Sequence, residues 1–269
     1  MAGPTTAERG ARGTPRRPRQ ESGPPPAPPA GGRFRFRPGR RGLLIALAAA
    51  ALAAGAGWLL YGSSWLRVES VRASGTDVLT TAQVVRAAEV PVGEPLVSLD
   101  TDAVEERILR RLPRADTVEV SRSWPRGVTL EVTERQPVLQ LVQGRRYVEV
   151  DDDGVRFATV DRPVRGVPRL ELAVERSPSL RRFPLARLTR EAVRVREGLP
   201  GKVVADLRTL VVRSYDDMVL ELTGERRVVW GSPEEGEAKA RALTALLKAA
   251  PRARHFDVSA PTAPAVSAS

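Results

Sequence analysis

From Gly42 to Leu66 the chain carries no charged residue, and arginines stand at both borders, Arg41 before it and Arg67 after it. These 25 residues, GLLIALAAAALAAGAGWLLYGSSWL, reach about 37 Å as a helix, enough to cross a hydrocarbon core about 30 Å thick. A backbone inside lipid must satisfy its own N–H and C=O groups, so a helix is the expected form. The stretch divides the chain into unlike parts: a short Arg/Pro/Gly tail over residues 1–41, and ordinary globular patterning over 67–269. A membrane-anchored protein folded on one side follows.

Charge gives the direction. Residues 1–41 hold ten arginines against Glu8 and Glu21, a net +8 of the +11 on the whole chain. Basic residues close to a span stay cytoplasmic, which predicts a cytoplasmic tail and an extracytoplasmic 67–269. Trp58, Tyr61 and Trp65 sit at the outer end, where amphipathic rings favour the interface. Ala54-Gly55-Ala56 has the look of a signal cleavage site, but signal h-regions run about 7–15 residues after a short basic start. Arg40-Arg41 before Leu43-Leu44 is only a short match to a twin-arginine export signal. A buried soluble helix fits poorly with the length and the flanking arginines.

There is no cysteine, which removes disulfides, thiol nucleophiles and Cys-ligated metals. His255 is the one histidine, so His-pair metal sites are excluded. The tail, with Pro24, Pro25, Pro26, Pro28 and Pro29 ahead of Gly31-Gly32, has too little apolar content to bury a core and is expected to be disordered. Arg33-Phe34-Arg35-Phe36-Arg37 has a pattern able to bind nucleic acid. Topology and lipid contact account for it more simply, and no nucleic acid is expected.

Beyond the span, Val68, Val71 and Ala73 suggest a strand ended by Ser74-Gly75-Thr76-Asp77. Thr80 and Gln83 have the spacing of a capping box, and Val84, Val85 and Ala88 give a short helix its apolar face. Asp100 or Asp102 can cap a second helix, whose Val104, Ile108 and Leu112, with Leu109 beside them, form an apolar face. Glu106 pairs with Arg110 on its wet side, where Arg107 and Arg111 also lie; Pro113 stops it. Val118 and Val120, a turn at Trp124-Pro125-Arg126-Gly127, then Val128, Leu130 and Val132 alternate as a hairpin. The order is β-α-α-β-β.

That module directly after one span, with Gly75 in its first turn, Arg122-Ser123-Trp124-Pro125 at the hairpin and Glu134-Arg135-Gln136-Pro137 at its exit, resembles a POTRA domain. With its surroundings, over roughly residues 42–262, the chain resembles the FtsQ (DivIB) family of bacterial division proteins, of the actinobacterial type. Where that family often has Gly-Asn in the first turn, this chain has Gly75-Thr76.

The remainder reads as a second, strand-rich unit over 137–262. Leu139, Leu141, Tyr147, Val148 and Val150 lead to Asp151-Asp152-Asp153-Gly154, then Val155 and Phe157. Calcium loops space their ligands as D-x-D-x-D-G, so three consecutive aspartates predict a solvated hairpin instead. Val167-Pro168-Arg169-Leu170 matches a family step. Leu188 to Val195 reads as a helix, and Val203–Val212, Met218–Leu222 and Arg227–Trp230 as strands. Ser232-Pro233-Glu234-Glu235 reads as a capped helix start, with Lys239, Ala242, Leu243, Leu246 and Leu247 along one side. A last strand over Arg254–Ser259 should lose pairing at Pro261 and Pro264, leaving 263–269 disordered. The expected class is α+β: one transmembrane helix (42–66), a POTRA domain (67–136) and a strand-rich domain (137–262).

No catalytic or nucleotide-binding motif is present, and neither a cofactor, a metal nor an enzyme activity is expected. The candidate for function is the terminal strand, because a sheet edge can accept a strand from another chain. Phe256 and Val258 would supply side-chain contacts there. The resemblance implies that Lys239, Leu243, Phe256, Asp257, Val258 and Ser259 bind FtsB/DivIC-like and FtsL-like partners, in a scaffold serving septal peptidoglycan synthesis in the cell membrane at the division septum. It also implies that the POTRA module docks for localisation. The rival readings are a POTRA-bearing transport or translocation component and a membrane-tethered cell-wall enzyme.

Overall fold

The computed structural model describes residues 40–174 and 182–267, so the tail as far as residue 39 lies outside the described residues. The chain divides into Met1–Ala51 and Leu52–Ser269. Helix α1 (Arg40–Tyr61) has 22 residues, none of them buried, and contains an 18-residue stretch with a mean hydropathy of 2.2. It stops short of the end of the uncharged stretch. Gly62 and Ser63 both donate to the Trp58 carbonyl, and Ser63 then caps a separate 3-10 turn, Ser64–Leu66. The helix alone still reaches about 33 Å, a full hydrocarbon core.

The first module is β1 (Ser70–Ser74), α2 (Thr81–Ala88), α3 (Thr101–Arg111), β2 (Ala115–Ser123) and β3 (Gly127–Glu134). The β-α-α-β-β reading holds. The helices carry the chain back so that β3 enters between β1 and β2, parallel to the first and antiparallel to the second. Thr80 and Gln83 form the capping box, and Asp100, not Asp102, caps α3. Val84, Ala88, Val104 and Ile108 bury against Val118, Val120, Val128, Leu130 and Val132. Leu109, assigned to the apolar face, is 38% exposed; it lies about 100° around the helix from Ile108. Arg107 and Arg111 do more than wet a surface, since they donate to the Ala88 and Ala87 carbonyls at the open C-terminus of α2.

Among the described residues the second module is one nine-stranded sheet, in the order β12-β11-β10-β9-β8-β7-β4-β5-β6. Its strands are β4 (Leu139–Gln143), β5 (Arg146–Val150), β6 (Arg156–Val160), β7 (Arg169–Leu172), β8 (Leu207–Val212), β9 (Met218–Leu222), β10 (Arg226–Gly231), β11 (His255–Asp257) and β12 (Ala265–Ser267). Helices α4 (Leu185–Glu197), α5 (Gly201–Asp206) and α6 (Gly236–Ala249) pack with it. The parallel steps β7–β8 and β10–β11 are bridged by α4 with α5, and by α6, as a crossover requires. Leu188, Ala192 and Leu243 from the helices meet Leu139, Leu210, Leu220, Val228 and Trp230 from the sheet.

Four expectations are corrected. Val203 to Asp206 are helical, because Pro200 and Gly201 open α5 and the strand begins only at Leu207. Ser232 does not cap a helix. Helix α6 starts at Gly236 after Glu235 at φ 55°; Tyr215 Oη donates to Glu234 (2.8 Å) and Lys239 Nζ to the Ser232 carbonyl (2.9 Å), holding 232–235 as a turn. Asp151 is buried rather than solvated, accepting the Val155 N–H and pairing with Arg135. Finally, residues 265–267 form β12, antiparallel to β11. Pro264 precedes that strand and so leaves its ladder intact.

Candidate functional site

The sheet end expected to bind a partner is built from β10, β11 and β12. Arg227, Val228 and Val229 lie beside His255, Phe256 and Asp257 in parallel, and Val258 N–H donates to the Val229 carbonyl at 3.0 Å. Strand side chains alternate, so Phe256 and Val258 turn inward; they are 2% and 0% exposed and share the core of Trp230 and Leu243. Asp257 and Ser259 turn outward. The Asp257 carboxylate accepts from the Ser259 N–H and Oγ (2.9 and 2.7 Å), which ends β11.

The helix residues behave like the inward pair. Leu243 is fully buried, and Lys239 is 1% exposed with its ammonium on the Ser232 carbonyl. Burial pushes the Lys239 pKa below its usual 10.5, although Glu234, Glu235 and Asp216 oppose the shift. Lys239, Leu243, Phe256 and Val258 therefore present no side chain at the edge. Substituting Phe256 and Val258 together is therefore a core change and does not probe the edge. The outward surface belongs to β12: Ala265, Val266 and Ser267 are all exposed, Val266 by 44%. Sequence reasoning missed them; a three-residue run behind a proline carries no readable period.

The motif residues of the first module hold structure. Gly75 takes φ 77°, and a Cβ there would stand 2.2 Å from the Val132 carbonyl oxygen. The positive φ thus falls on Gly75, and Thr76 beside it carries none. Glu134, 7% exposed, accepts three successive amides from the loop after β1: Asp77 (2.8 Å), Val78 (3.1 Å) and Leu79 (2.8 Å). Arg135 pairs with Asp116 (3.1 Å) and with buried Asp151. Arg114 pairs with buried Glu149 at 2.6 Å. These pairs clamp the first module to β5 and the turn after it, with Pro137 half-buried in the connection. Trp124 and Pro125 form an exposed turn with a cis peptide.

A groove of about 920 Å³ is lined by Arg165, Arg169, Arg208, Arg227, Glu221 and His255 among others. Among the described residues no three His, Asp or Glu stand together as a metal site.

An apolar N-terminal helix, a β-α-α-β-β module and a strand-rich sheet define a single-pass membrane protein with a POTRA-type module. The family description "POTRA domain, FtsQ-type" matches residues 66–135. The cell division protein FtsQ of Streptomyces coelicolor is 60% identical over 275 residues, covering all of both chains. That of Mycolicibacterium smegmatis is 34% identical, over 84% of this chain and 66% of its own. The solved extracytoplasmic domain of the division protein DivIB from Geobacillus stearothermophilus aligns with a TM-score of 0.32 at 13% identity, covering 45% of this chain and 97% of that one. The chain belongs to the FtsQ family of bacterial cell division proteins.

Proposed function

We propose that the protein is a non-catalytic scaffold. In this reading the tail is cytoplasmic and both folded modules lie outside the membrane at the division septum. It links FtsB/DivIC-like and FtsL-like proteins to septal peptidoglycan synthesis. Residues 67–136 dock for localisation and 137–267 receive the partner.

One observation carries this reading: the nine-stranded sheet ends in β12, whose three side chains are all exposed. A strand at a sheet's end offers backbone donors and acceptors to an incoming chain, and side chains on alternate positions select it. Val266, opposite Phe256 in the register, supplies the apolar contact on one face, and Asp257, opposite Ala265, lies on the other. Phe256, Val258, Leu243 and Lys239 act by holding β11 and α6 in place.

The test is affinity for the extracytoplasmic segment of the FtsB-like partner, measured on the full-length protein in detergent with and without residues 263–269. Loss of the edge strand should weaken binding at least about tenfold, roughly 1.4 kcal/mol, with circular dichroism unchanged. Affinity that stays level or rises rejects strand addition at this edge.

A further inference from the structure

We propose that the membrane-proximal end of the POTRA module is itself a lipid-docking surface, seated in the interface of the bilayer from which α1 emerges. The proposal rests on reading α1 as a span.

The residues concerned come from three places in the sequence. Trp65 lies in the 3-10 turn just past α1 and is 60% exposed. Trp124, at the β2–β3 turn, is 54% exposed, and Val92, between Pro91 and Gly93, is 69% exposed. Large apolar side chains left in water beside a membrane exit call for an explanation; scattered single ones elsewhere do not.

Hydrogen bonds bind both loops to the chain as it leaves the membrane. Arg126, in the turn with Trp124, donates through Nε to the Trp65 carbonyl (3.3 Å) and through its guanidinium to Glu69 (2.8 Å). Glu69 N–H returns a bond to the Arg126 carbonyl at 2.9 Å. The Val92 loop is fixed likewise: Gly93 N–H donates to the Val68 carbonyl (2.8 Å) and Val68 N–H to that of Glu94 (2.9 Å). Arg67 donates to the Gly93 carbonyl at 2.7 Å. The indoles and the valine are therefore carried on a braced platform, joined to Tyr61 by only the few residues Gly62 to Ser64.

Tryptophan prefers the membrane–water interface because its ring is apolar and its N–H can stay hydrated. Arginine and glutamate between the rings suit that depth, where head groups and water satisfy charge. The tether supplies the rest. A contact too weak to bind vesicles alone is populated when a short linker holds it at high effective concentration. The consequence is that the POTRA sheet is held by two attachments, the helix and the turn, instead of swinging on Gly62.

The test uses the full-length protein in phosphatidylcholine vesicles carrying bromine near the top of the acyl chains, a short-range quencher of indole emission. In a Trp58→Phe/Trp65→Phe variant, Trp124 and core-buried Trp230 are the emitters that remain. A further Trp124→Phe substitution gives the Trp230 baseline. A Trp65→Phe/Trp124→Phe variant reports on Trp58 in the span. We expect quenching of Trp124 above the baseline, and quenching of Trp58. Trp58 quenched with Trp124 at the baseline overturns lipid docking while the span stands. Neither quenched overturns both the docking and the span.

Discussion

Replacing Glu134 tests whether the family's exit motif acts as a structural anchor. Glu134 is 7% exposed. Oε1 receives the Asp77, Val78 and Leu79 amides, and Oε2 receives Val78 again at 3.2 Å. A hydrogen bond to a charged group contributes about 1.5–3 kcal/mol, and three converging on one oxygen do not add in full. Glu134→Ala removes all three and leaves loop amides facing a void, so the expected loss is about 3–5 kcal/mol. Glu134→Gln keeps an acceptor at the Oε1 position but points its amide group at the Val78 N–H; about 1–2 kcal/mol is expected. The assay is urea unfolding of the full-length protein in micelles, with hydrogen exchange read over residues 77–79. The Ala variant should exchange fastest there. A cost below about 1 kcal/mol for Glu134→Ala, with those amides still protected, would refute the anchor.

Gly75→Ala combines φ 77° with a Cβ placed 2.2 Å from the Val132 carbonyl. It should cost about 2–4 kcal/mol in thermal unfolding, and an unchanged midpoint would contradict the close approach. Arg114→Ala with Arg135→Ala strands two buried carboxylates, Glu149 and Asp151, at about 3–5 kcal/mol for each broken pair. Calorimetry should then separate two transitions where the parent shows one. The Thr223 hydroxyl, and after it the Arg226 guanidinium, hold the Asp206 carboxyl below its usual 3.8. A carboxylate with a lowered folded-state pKa gives stability that is full above its unfolded value and fades as pH falls through the folded one. Asp206→Asn should therefore unfold earlier than the parent at neutral pH, with the gap closing below pH 3.8; a pH-independent gap would argue against the linkage.

The first module was legible because each of its elements carries a local signal. A capping box starts α2, a four-residue spacing places Val104 and Ile108, and a period of two marks β2 and β3. The second module was less legible where tertiary contacts decide. Val203 and Val204 have strand propensity, yet the Pro200–Gly201 opening and Val203 burial make a helical turn. Ser232-Pro233 satisfies the rules for a helix start, yet Tyr215 and Lys239 bind that segment as a turn. The clamp joins Arg114 to a residue 35 positions away and Arg135 to one 16 away, separations that leave no pattern to read. At the candidate site the terminal strand forms in the expected stretch, but Phe256 and Val258 face the core instead of the edge. Alternation predicts that Phe256 and Val258 share a face, but only the position of Trp230 and Leu243 reveals which one.

The brevity of β12 bears on what the edge refuses as well as on what it accepts. Long, flat, apolar edges template copies of themselves, and proteins crowded in a membrane meet one another often. Here the outermost strand has three residues, Ala265–Ser267, with Pro264 directly before it, so a second copy finds too few rungs to build a lasting ladder. A partner with further contacts along the domain meets no such limit. In the proposed reading the same short strand thus favours unlike neighbours over like ones.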